Sequence, residues 1–128
     1  MSGPWMRYTA AVWMLLVCGT DARAGEDPLR HAARSKQNYL LVEFTSATCP
    51  ACDQMQPVVA QVLAGHPELR FQKVDADLEV ELSRRYKVKC VPVYVVLDQE
   101  GEVRFNDVGM RTAEELEQIL KQAGVNGR

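Results

Sequence analysis

The chain has 128 residues, 47% of them apolar and 25% charged, with a formal net charge of −2 at pH 7. That is enough for one packed domain and too little for two. The acidic balance argues against nucleic acid as a partner.

Arg7 precedes a short apolar run at residues 10–18, and Ala22 and Ala24 put small side chains at the two positions a signal peptidase reads. The run is too short to cross a bilayer. Residues 1–24 are therefore expected to be a cleavable signal and residues 25–128 the exported domain, periplasmic or secreted, with no stable membrane insertion once the signal is gone. Retention of the signal as an anchor is the alternative. Cys18 closes the apolar run, but Val17 before it is too bulky for lipoprotein processing. Removing Arg7, Arg23 and Asp21 takes away two positive charges and one negative, so the remainder stands at −3. It keeps Cys49, Cys52 and Cys90, an odd number for a purely structural disulfide framework.

Asp27 caps a predicted helix with Pro28 at its first position and Leu29, Ala32 and Ala33 along one stripe, ending near Gln37 and Asn38. Residues 39–45 are apolar on both alternating faces except at Glu43, the pattern of a central strand covered on both sides. Glu43 is thus expected to be buried. A helix carrying Met55, Val58, Val59, Val62 and Leu63 follows, kinked at Pro57 and closed by Gly65, His66 and Pro67. Residues 71–75 alternate as a strand. Asp77 is expected to open a helix that turns Leu78, Leu82 and Tyr86 inward. Residues 91–97 read as a second buried strand, joined through a short turn with Gly101 to a strand at 102–106, hence an antiparallel hairpin. Thr112 and Glu115 form a capping box for a last helix with Leu116, Ile119, Leu120 and Ala123 on one face and Gly124 at its end. Met55, Tyr94 and Met110 are assigned to packing. The alternation predicts an α/β fold with a mixed central sheet of about four strands and helices on both faces.

The chemistry concentrates where the first strand hands over to the second helix, at Cys49-Pro50-Ala51-Cys52. A cysteine at a helix N-terminus meets unpaired N–H groups and the positive end of the macrodipole, both of which favour thiolate. Cys49 is accordingly the candidate nucleophile and Cys52 the resolving thiol of a thiol–disulfide exchange. Half of a zinc site is the bland alternative, but His31 and His66 are single and distant in sequence. A thiol metallochaperone carrying Cu(I) between the two cysteines is a second one. Burial raises a carboxyl's pKa, which makes Glu43 a candidate acceptor for the Cys52 proton, with Lys73 as its pairing partner. A purely structural Glu43–Lys73 pair is the alternative. Cys90 is either an inert thiol, a third redox sulfur or a site of intermolecular disulfide.

Together, the strand-CxxC-helix placement, Pro57, the run Tyr86-Lys87-Val88 leading to Val91-Pro92, and Gly109 after the hairpin resemble the thioredoxin family over roughly residues 40–124. The resemblance implies a thioredoxin fold and a protein-disulfide oxidoreductase with no cofactor and no metal. It also implies a cis bond before Pro92, which lies against the CxxC, and substrate contacts from Val91, Pro92 and Gly109. The partners it implies are protein disulfide substrates and an upstream thiol electron donor, met by a monomer. The chain departs from the family in having Thr48 for the usual Trp, Pro50-Ala51 for Gly-Pro, and Glu43 for the buried Asp. It also has too short a leading segment for the family's first strand. The direction of electron flow is expected to be reductive or isomerising, because no cation between the cysteines stabilises the Cys49 thiolate further.

Overall fold

The computed structural model describes residues 25–126. Helices and strands alternate as α1 (Pro28–Lys36), β1 (Leu40–Thr45), α2 (Pro50–Ala64), β2 (Arg70–Asp75), α3 (Val80–Arg85), β3 (Val93–Leu97), β4 (Val103–Val108) and α4 (Ala113–Ala123). The expected signal at residues 1–24, with Cys18, lies outside the described residues.

The strands form one mixed sheet in the order β2-β1-β3-β4. β1 runs parallel to β2 and antiparallel to β3, and β3 is antiparallel to β4. β1 is central, and Leu40 through Phe44 are all buried. Successive strand residues point to opposite faces. Leu40, Val42 and Phe44 therefore pack with Leu29 and Ala33 of α1, with Leu82 of α3 and with Tyr86 at its C-cap. Leu41 meets Met55, Val59 and Val62 of α2 and Leu116 and Leu120 of α4. Glu43 follows Leu41 by two positions and so projects into the α2/α4 layer. The predicted α/β sandwich, with a four-stranded mixed sheet and helices on both faces, is the observed one.

Local chemistry sets several boundaries as the sequence indicates. Asp27 caps α1 by accepting from the Leu29 and Arg30 N–H groups. Its second oxygen accepts from the Tyr86 hydroxyl, tying α1 to α3. The Thr112/Glu115 capping box is formed in both directions, and Gly124 ends α4 at φ 100°. In the hairpin turn, Asp98 accepts from the N–H groups of Glu100 and Glu102 and from the Arg104 guanidinium.

Three expectations change. α3 begins at Val80 with no side-chain cap, rather than at Asp77. Asp75 takes the N–H groups of Asp77 and Leu78 into a turn, and the Asp77 carboxylate is engaged by Ser46. Leu78 therefore sits on a turn outside the helix and is 80% exposed instead of facing inward. Met110, assigned to packing, is 46% exposed: it lies in the turn after β4, between the Gly109 and Arg111 N–H groups that bond to Pro92 and Met55. β3 starts at Val93, leaving Val91 and Pro92 as a lead-in segment, and β4 runs on to Val108.

Candidate active site

Cys49 is the N-cap of α2 in extended conformation, with Pro50 at the first helical position. Proline suits that place because its missing N–H would have no intrahelical partner there. Cys49 and Cys52 are joined as a disulfide, and the Cys52 N–H donates to Cys49 Sγ at 3.1 Å. The same donor and the helix dipole would meet a Cys49 thiolate after reduction. Cys49 is 9% exposed and Cys52 2%, so Cys49 is the more accessible of the two residues. The loop before them is held by Ser46, whose hydroxyl donates to Asp77 at 2.7 Å.

Phe44 lies opposite Val93 in the antiparallel pair. Residues 91–92 before β3 and the loop after β1 therefore leave the sheet at the same end. The Val91–Pro92 bond is cis, with Pro92 buried and Val91 half-buried. The Gly109 N–H donates to the Pro92 carbonyl at 2.8 Å. The Arg111 N–H, two residues on, contacts the Met55 sulfur of α2 at 3.4 Å. Through these contacts the loop after β4 is fastened to both the proline segment and the cysteine helix.

Beneath α2, Glu43 is fully buried. Burial pushes its carboxyl above the usual range, partly offset by the Lys73 charge and then by the Tyr94 hydroxyl. Lys73 is its neighbour in the parallel register, and both line a depression of about 220 Å³ with Gln56, Val59, Ala60, Leu63 and Phe71. Lys73 is exposed and makes no direct ion pair with Glu43; it acts on the carboxyl through space. Neither Glu43 oxygen has a hydrogen-bond partner among the described residues. Tyr94, assigned to packing by sequence, lies directly across from Glu43 on β3. Its place was hidden because cross-strand register is not written in either strand alone. Cys90 is an exposed free thiol on the lead-in to Pro92. Among the described residues no group of three or more His, Cys, Asp or Glu side chains is placed to hold a metal ion.

Residues 26–122 match the Thioredoxin family. The chain is 30% identical over 93 residues to the H-type thioredoxin of Fagopyrum esculentum, covering 73% of this chain and 79% of that one. It is 29% identical over 94 residues to thioredoxin H3 of Arabidopsis thaliana, covering 73% and 79%. Thioredoxin NaTrxh of Nicotiana alata shares the fold, with a TM-score of 0.66 at 23% identity over 73% of this chain and 80% of that one. The oxidised mitochondrial thioredoxin 3 of Saccharomyces cerevisiae gives a TM-score of 0.65 at 25% identity, covering 73% and 86%. With a family match running from just before α1 into the last turn of α4, the chain belongs to the thioredoxin family and is a thiol–disulfide oxidoreductase.

Proposed function

We propose that this protein is an exported oxidoreductase that exchanges disulfides with protein substrates through Cys49-Pro50-Ala51-Cys52, on the reductant or isomerase side rather than as a strong oxidase. The observation that carries it is the Cys49–Cys52 disulfide at the head of α2, with the more exposed cysteine at the cap. In the reductive direction, the Cys49 thiolate attacks a substrate disulfide and forms a mixed disulfide, releasing one substrate sulfur as thiolate. Glu43 accepts the Cys52 proton, with Lys73 favouring its ionised form, and Cys52 attacks Cys49 Sγ. The Cys49–Cys52 bond forms, the bond to substrate breaks, and the second substrate sulfur leaves reduced. An upstream thiol donor then reduces the pair again.

Val91 lies outside β3, and its backbone is assigned to pairing with an extended substrate segment beside Pro92 and Gly109, a mode that tolerates varied sequences. The Pro50-Ala51 dipeptide supplies no cation to the Cys49 thiolate, which favours the reductive direction. The protein acts as a monomer. Residues 1–24 are its export signal, and the mass of the exported form is expected to start near residue 25; a start at Met1 contradicts cleavage.

Trapping tests the function directly. Cys52→Ala is expected to accumulate mixed disulfides at Cys49 with exported proteins, and Cys49→Ser is expected to abolish insulin reduction driven by a dithiol. Exchange that survives Cys49→Ser overturns the mechanism. Stoichiometric Cu(I) uptake without disulfide exchange would replace it with a metallochaperone.

A further inference from the structure

Tyr94 is only 1% exposed, and its hydroxyl has no hydrogen-bond partner among the described residues. Both carboxylate oxygens of Glu43 are in the same condition. The two residues stand opposite each other on β3 and β1, and side chains opposite each other share a face of the sheet. Buried polar atoms normally find partners because they have given up water. Here the phenol and the carboxyl are cross-strand neighbours on one face of the sheet, each placed where the other is the natural partner. Lys73 is the charged group that faces Glu43 from β2, and Gln56 the polar one from α2. Reduced Cys52, on the same helix, is the proton donor of the proposed reaction. α4 brings Leu116 and Leu120 to this layer.

We propose that Tyr94 is a positioning residue of disulfide exchange: its phenol O–H closes on the Glu43 carboxylate and sets the pH above which Glu43 accepts the Cys52 proton. The inference rests on the proposed role of Glu43. A donor to the charged form of an acid stabilises that form. The phenol is a permanent donor, because burial and then the neighbouring Glu43 carboxyl hold its own ionisation well above the usual tyrosine range. Once Glu43 has taken the proton, the carboxyl O–H donates back to the phenolic oxygen. The pair stays satisfied in both states, and the acid stays aimed beneath α2. The step consumes no further reagent: the proton moves from Cys52 sulfur to Glu43, the Cys49–Cys52 bond forms, and the substrate thiolate leaves.

Tyr94→Phe removes the hydroxyl with little change in volume. The readout is the pH dependence of single-turnover resolution of a peptide mixed disulfide on Cys49, from acid to neutral pH. In Tyr94→Phe the rising limb is expected to move to higher pH by about half a unit or more, a roughly threefold slower rate below the limb. In a Glu43→Gln background the limb is expected to be absent and Tyr94→Phe to have no further effect on it. A merely structural tyrosine would lower the thermal midpoint and leave the limb in place. If Glu43→Gln abolishes the limb but Tyr94→Phe does not move it, Tyr94 has no such role and Glu43 keeps its own. If Glu43→Gln retains the limb, Glu43 is not the acceptor and both assignments fall. Tyr94→Leu, which also lacks the hydroxyl, provides the same comparison should Tyr94→Phe fold poorly.

Discussion

A carboxyl in the middle of a covered strand destabilises the fold to the extent that it is ionised. For Glu43 the sign follows from its environment: burial, only partly offset by Lys73 and Tyr94, raises its pKa in the folded state above the ordinary 4.5. The folded protein then binds a proton more tightly than the unfolded chain. Stability falls as pH rises from that ordinary value through the raised one. Glu43→Leu is therefore expected to stabilise the protein at neutral pH by about 1–3 kcal/mol, with the gain shrinking in acid, as read by urea denaturation at several pH values. The same variant should slow release of the mixed disulfide, separating a group kept for chemistry from one kept for stability. Burial of Glu43 was legible in the run at residues 39–45. The unpartnered hydroxyl across from it was not, since Tyr94 sits in a strand that reads as uniformly buried.

Helix starts separate the locally coded elements from those that depend on context. α4 carries a reciprocal capping box, and both of its members are visible at fixed spacing in the sequence. Thr112→Ala removes the hydroxyl that accepts the Glu115 N–H and is expected to cost about 1 kcal/mol, measured by chemical denaturation with an unchanged m-value. α3 is the opposite case. Asp77 looks like a cap by residue type, yet Ser46 from the cysteine loop claims its carboxylate while Asp75 organises the turn. Leu78 is consequently bare, and Leu78→Asp is expected to change stability by no more than about 0.5 kcal/mol. An inward Leu78 would instead cost several times that. A cap of the right type is ambiguous when a side chain remote in sequence competes for it.

Across the molecule, two carboxyls pull the pH dependence in opposite directions. Asp98 lies in the β3–β4 turn; burial pushes its pKa up, but the N–H groups of Glu102 and Glu100 and the Arg104 guanidinium outweigh this and hold it below its ordinary 3.8. Its contribution is present above that value and is lost as pH falls through the folded-state pKa, whereas the cost of Glu43 grows as pH rises. Thermal midpoints should therefore pass through a maximum between acid and neutral pH. Asp98→Asn should flatten the acid side and Glu43→Leu the neutral side. The element order, the two-faced β1, the caps at Asp27 and Thr112 and the cysteines at the head of α2 were all determined by the sequence alone, because each depends on residues within a few positions of one another. Only the tertiary structure decided that Tyr94 stands across from Glu43, that Gly109 bonds Pro92, and that Ser46 takes Asp77. Those pairings join segments far apart along the chain, and their register is settled by how the two apolar layers close on the sheet rather than by any local pattern.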